Sequence, residues 1–147
     1  MSDPRPFSQR IGEAEHALRA ILDRYLDAAT MTFAQWTTLA VISRSPAPMP
    51  EEPLLQQIAS GLAADRSVAL AALDGLITRE LVARSADAYP TVALTGTGTA
   101  QFQALRQYVG QATQRIYGDL PAEDLAVAGR ILDTIAQRAR ADLERVA

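Results

Sequence analysis

Few residues in this chain have types and spacing that could do chemistry. His16 is the single histidine, and on a helix it shares a face with Asp23 two turns on, an arrangement able to work as an acid–base pair. A solvated polar face is the plainer reading of the same two residues. There is no cysteine, which excludes thiol switches, disulfides and Cys-based zinc sites, and one histidine with scattered carboxylates makes no metal constellation. All 14 basic residues are arginine; without lysine there is no Ser-x-x-Lys nucleophile, and no Gly-x-Ser-x-Gly occurs. Gly96 and Gly98 form a Gly-x-Gly pair, a weak phosphate-loop signal on its own. No catalytic constellation is recognisable, and no metal or cofactor is expected. What remains is arginine as a partner for phosphate, at Arg66, Arg79 and Arg84 within one segment.

The elements that must position these residues follow from hydrophobic spacing. Ile11, Ala14, Leu18, Ile21, Leu22, Tyr25 and Leu26 recur at helical intervals and predict a first helix over about 8–28. Thr32 suits the N-cap of a second helix carrying Gln35, Trp36 and Leu39. Prolines 46, 48, 50 and 53 predict a stiff loop over 44–53, followed by a third helix with Glu51 and Glu52 at its positive end and Gly61 as its C-cap. Asp65 is the expected N-cap of a fourth helix whose Ala69, Ala72, Leu73 and Leu76 face inward. Residues 81–84 and 92–95 read as two strands joined by a polar loop with Asp87, Tyr89 and Pro90. Beyond them, Phe102, Leu105, Val109, Ala112 and Ile116, then Leu125, Ala128, Leu132, Ile135, Ala139 and Leu143, make two heptad-like seams. The expected class is mostly α, in the order α-α-α-α-β-β-α-α.

Two motifs carry a resemblance. Thr32-x-x-Gln35-Trp36-x-x-Leu39, and the spacing Leu76…Leu81-Val82-x-Arg84…Val92-x-Leu94-Thr95-x-x-Gly98, strongly resemble the MarR family of dimeric regulators. The resemblance covers nearly all of the chain. It implies a single domain over 1–147, with a winged helix-turn-helix at 32–98 and dimerisation helices at 8–30 and 99–147. It also implies an intertwined homodimer that binds double-stranded DNA and answers to a small molecule. Its ligand pocket would bring together His16, Trp36, Arg106 and Tyr108. The plainer reading of Trp36 is a core aromatic between the first helix and the winged segment. Gly98 then marks the junction from the second strand into the fifth helix.

The DNA-facing positions implied by the resemblance are Arg66, Ser67, Leu70, Ala71, Asp74, Arg79, Arg84 and Asp87. Helical geometry turns Ser67, Leu70, Ala71, Asp74, Gly75 and Thr78 outward, offering hydroxyls, apolar groups and a carboxylate where base readers are usually Arg, Lys, Asn or Gln. The family commonly has basic residues where Ala71 and Gly75 stand, and a basic wing where this loop has Asp87-Ala88-Tyr89-Pro90. Glu80 replaces a turn glycine. The whole chain carries a net charge of −3, and residues 51–100 hold three arginines against six acids. The sign is wrong for phosphate binding. A regulator with weak or atypical DNA binding is the leading expectation. The alternatives are a family member that binds or transforms a small molecule in the dimer cavity, and a protein-partner module using Val68, Leu70 and Ala71. The first residues lack a continuous apolar run, so no membrane partner and a cytoplasmic location are expected.

Overall fold

The computed structural model describes residues 5–146. Nine elements follow in chain order: α1 (Phe7–Ala28), α2 (Phe33–Ser43), β1 (Met49–Pro50), α3 (Glu51–Leu62), α4 (Arg66–Thr78), β2 (Val82–Arg84), β3 (Thr91–Leu94), α5 (Gly96–Tyr117) and α6 (Ala122–Val146). They fall into two compact units, one ending at Gly110 and one beginning at Gln111.

The first unit is built on a core of Leu26, Leu39, Leu54, Leu55, Ile58, Leu73, Leu76, Val82 and Val92, each essentially sealed from solvent. The apolar spacing of α1, α3 and α4 delivers these side chains to one centre. Thr32 closes a capping box at the start of α2: the Gln35 amide donates to the Thr32 hydroxyl (3.1 Å), and the Thr32 amide donates to the Gln35 side-chain oxygen (3.0 Å). Buried Thr38 donates its hydroxyl to the Ala34 carbonyl one turn back, which satisfies it inside the core.

Three helices stop in the same way without glycine. Thr30, Ala63 and Glu80 have φ of 52°, 48° and 58°. Each is the left-handed residue of a Schellman motif; after α4, Leu81 N–H donates to the Leu76 carbonyl and Glu80 N–H to the Ile77 carbonyl. The C-cap expected at Gly61 is thus displaced to Ala63, where the chain turns. The Asp65 side chain makes no capping bond, because the Val68 amide it would serve is taken by Asp65's own carbonyl (3.0 Å).

The sheet holds one strand more than expected. β1 arises from the proline loop and pairs antiparallel with β3, Met49 opposite Val92 and Pro50 opposite Thr91, giving the order β1-β3-β2. A proline is tolerated there because β1 is an edge strand. Pro53 falls within the first turn of α3, where an amide has no helical acceptor to lose. The hairpin strands run over Val82–Arg84 and Thr91–Leu94, the first starting one residue later and the second lying one residue earlier than the expected 81–84 and 92–95, with Val82 opposite Leu94 and Arg84 opposite Val92. Thr95 then links the hairpin to α5: its hydroxyl donates to the Glu80 carbonyl (2.6 Å) and accepts from the Gly98 amide (2.9 Å). A Cβ on Gly98 would sit 1.9 Å from the Leu81 carbonyl oxygen, so this position is open only to glycine.

The α5 seam divides. Phe102 and Leu105 are buried in the core of their own unit, so this half of the expected dimer seam is used within the chain, whereas Ile116 is exposed. In α6 no described residue is buried, and Leu125, Leu132, Ile135 and Leu143 stand exposed at helical spacing. No described helix is long and apolar enough to cross a membrane, and no described group of three His, Cys, Asp or Glu is placed to hold a metal ion.

Candidate nucleic-acid interface and ligand cavities

On α4, Ala69, Ala72, Leu73 and Leu76 are buried as expected, and Arg66, Ser67, Val68, Ala71, Asp74 and Thr78 are exposed. Leu70, expected to face outward, is half-buried and packs against the core. Gly75 is also half-buried, its α-carbon facing the Gln35 side chain. The exposed strip of the helix therefore holds only Ser67 and Asp74 as polar groups beyond Arg66 and Thr78, and the Thr78 hydroxyl already donates to the Asp74 carbonyl.

Each arginine of residues 51–100 is already engaged. Arg66 forms a two-pronged ion pair with Glu52. Arg79 donates to the Thr30 and Ala29 carbonyls at 2.8 and 3.1 Å, capping the negative end of α1. Arg84 donates to both oxygens of Glu51 at 2.9 Å and to Asp74 at 2.9 Å. The Glu51 and then the Asp74 hydrogen bonds raise the Arg84 pKa above its ordinary value, and Glu52 does the same for Arg66. In return the Arg66 guanidinium holds the Glu52 carboxyl below the usual glutamate value. Glu51 is buried, not a solvated acid at a helix end. Its role has no sequence signal, since Arg84 is 33 positions away and the two meet only because β1 docks on β3. The wing tip carries exposed Asp87 and a Tyr89 that is 90% exposed, with no cation between the strands.

The four expected pocket residues do not converge within the chain. His16 lies exposed on α1, with its Nδ1 2.6 Å from the Gly12 carbonyl, and Asp23 pairs with Arg19 instead (3.0 Å). Trp36 packs on Phe102 with ring centroids 5.1 Å apart. Tyr108 stacks on Tyr25 at 6.2 Å and 10°. Beside these two rings, Ala28, Ala29, Ala104 and Leu105 line an apolar cavity of about 390 Å³. Arg106 lines a different cavity, with Arg44 and the proline loop. A third hollow of about 450 Å³ lies between the start of α2 and the outer face of α4, beside Gln35, Val68 and Ala71. Tyr25, Phe102 and Arg44 were not singled out as site residues by sequence; periodicity marks Tyr25 only as part of the first helix's apolar stripe and Phe102 as part of a heptad-like seam.

No protein-family model matches this sequence, and no curated protein matches it. Solved structures do. Wild-type MarR from E. coli in its apo form superposes with a TM-score of 0.68 at 24% identity, covering 91% of this chain and 98% of that one. A MarR-family transcriptional regulator from Rhodococcus sp. RHA1 gives a TM-score of 0.73 at 18% identity, covering 90% and 97%. An S. aureus MepR variant bound to an oligodeoxyribonucleotide gives 0.58 at 18%, covering 92% and 99%. The fold is therefore the winged helix-turn-helix of the MarR-family transcriptional regulators.

Proposed function

We propose that this protein is a MarR-like homodimeric regulator of the cytoplasm that answers to a small molecule and meets double-stranded DNA only weakly. The fold supports the regulator class. The internal pairing of Arg66, Arg79 and Arg84 carries the weak-binding part. Duplex affinity comes mostly from cations that neutralise phosphates, and Arg66, Arg79 and Arg84 must each first leave a partner. Ser67 offers a hydroxyl for base contact, Ala71 offers none, and Asp74 and Asp87 repel phosphate. The exposed apolar face of α6 supports the dimer. The apolar cavity beside Tyr25 and Tyr108 suits a planar ligand.

An anisotropy titration against the gene's own upstream region tests this reading. Micromolar binding that added salt abolishes is expected. Nanomolar binding that resists competitor DNA overturns it. The paired arginines also favour a second reading, a MarR-fold protein that has left DNA and binds or transforms a small molecule; complete absence of duplex binding selects that one.

A further inference from the structure

The hollow of about 450 Å³ between the start of α2 and the outer face of α4 has an apolar lining of Ala34, Val68, Ala71 and Ala72. Its polar lining is Thr32, Gln35 and Ser67. Thr32 and Gln35 are spent on each other in the capping box, which leaves the rim little with which to orient a polar ligand. Val68 is nevertheless 44% exposed. Duplex DNA has only the thymine methyl to lay against such a surface, whereas an apolar protein side chain can fill it. Of the three residues expected to make a partner-binding face, Val68 and Ala71 line the hollow and Leu70 turns to the core. Charge then selects the kind of protein. Asp65, two residues before Ser67, is exposed and makes no capping bond. Asp74, three residues beyond Ala71, shares the Arg84 guanidinium with Glu51, so two carboxylates stand against one cation. An acid thus flanks each end of the hollow's α4 wall, the two about 14 Å apart along the helix. Arg66 lies between them and is held by Glu52.

We propose that the outer face of α4 docks a basic amphipathic helix of a partner protein. A bulky apolar side chain of that helix enters the hollow beside Val68 and Ala71, and Lys or Arg on the flanking turns meets Asp65 and Asp74. A helix fits because Val68 and Ala71 stand one turn apart on α4, the spacing at which a helix offers its own anchors. Cations two to three turns apart on the partner span the distance between the two acids. The same acids speed the encounter with a basic partner and reject an acidic one.

The test uses the full chain and three fluorescein-labelled peptides of about 18 residues, enough for about five helical turns. The first carries leucine at i, i+3, i+4 and i+7 and lysine elsewhere. The second replaces lysine by glutamate, and the third scrambles the first, so that composition is kept and the apolar face is lost. At physiological ionic strength the first is expected to bind saturably at micromolar concentration by anisotropy, and the other two about tenfold more weakly or worse. Val68→Ser and Ala71→Gln, both at exposed positions, should each cost about fivefold or more, and Val68→Ile should keep the affinity. Asp65→Asn combined with Asp74→Asn should cost about fivefold. Circular dichroism checks that each variant remains folded. No saturable binding, equal binding of the glutamate or scrambled peptide, or indifference to either set of variants overturns the proposal. So does self-association of the chain that Val68→Ser lowers, because a second copy then covers this face. No arm of the test contains DNA, so the duplex reading above stands or falls on its own titration.

Discussion

Arg84 and Glu51 meet in two hydrogen bonds of 2.9 Å each, across 33 residues of sequence, at the joint between the wing and the first helix of the helix-turn-helix. The same guanidinium reaches Asp74 on α4, so one side chain ties β2, α3 and α4 together. A cation placed on the wing to reach phosphate is here a structural bracket.

Removing Glu51 should therefore cost stability. Its carboxylate is buried, and Glu51→Ala leaves a partly buried guanidinium with Asp74 alone. A loss of about 2 kcal/mol is expected in urea denaturation, the cost of stripping a charged hydrogen-bond partner from a buried site. Asp74→Asn should cost under about 1 kcal/mol, because that carboxylate is half-exposed and screened. A larger loss at Asp74 than at Glu51 would reverse the assignment.

Glu80 holds a φ of 58° at the end of α4, where a side chain crowds the backbone. Glu80→Gly should stabilise the protein by about 0.5–1 kcal/mol, the relief of that crowding less the added freedom of the unfolded chain. Ala63→Gly, at φ 48°, should behave alike. Thermal melting that falls in both variants would show that these turns are unstrained.

The Arg66–Glu52 pair sets a pH signature. The Arg66 hydrogen bond lowers the Glu52 pKa in the folded protein, so the pair stabilises the fold above the unfolded carboxyl's range and loses that contribution as pH falls through the folded value. A carboxyl titration followed by NMR should place Glu52 below its position in Arg66→Gln. Coincident titration curves would mean that the pair does not persist in solution.

The sequence was a good guide wherever local chemistry decides the outcome. Thr32 with Gln35 and the inward face of α4 rest on short-range geometry that residue types reveal. It was a poor guide where two distant segments had to meet. β1 exists only because β3 offers it an edge, and the buried role of Glu51 depends on that pairing. Asp65 has the right residue type for a cap, yet its own carbonyl wins the Val68 amide. Phe102 and Leu105 fit a dimer seam by spacing, and their spacing cannot tell a partner's surface from the chain's own core. The arginines illustrate the limit best, because composition counts charges and cannot say which of them are already spent.

The exposed apolar positions of α6 predict what holds two copies together. Leu132 and Ile135 lie among the exposed residues of a helix with nothing buried, and contiguous apolar surface of this kind marks an interface. Leu132→Arg should shift the protein from dimer to monomer or aggregate in sedimentation equilibrium, with loss of helical signal, since such dimers seldom leave a stable monomer. A wild-type chain that sediments as a folded monomer at micromolar concentration removes the dimer from the reading.

Freeing the paired arginines should strengthen the weak hold on DNA proposed above. In the triple variant Glu51→Gln, Glu52→Gln and Asp74→Asn, the ionic partners of Arg66 and Arg84 become neutral, while Arg79 stays on the Ala29 and Thr30 carbonyls. A dimer then presents up to four additional cations. The slope of log affinity against log salt should steepen by about 3–4, near 0.9 for each phosphate newly neutralised. Removing three negative charges would raise affinity by itself, so a matched control is needed. Asp65→Asn, Glu80→Gln and Asp87→Asn remove the same charge from the same segment, and none of those side chains pairs with an arginine among the described residues. Circular dichroism first establishes that both variants remain folded. If internal pairing holds DNA binding down, the first variant gains affinity and slope well beyond the control. If the two behave alike, net charge alone sets the affinity, and the ion pairs of Arg66 and Arg84 serve only to hold the fold.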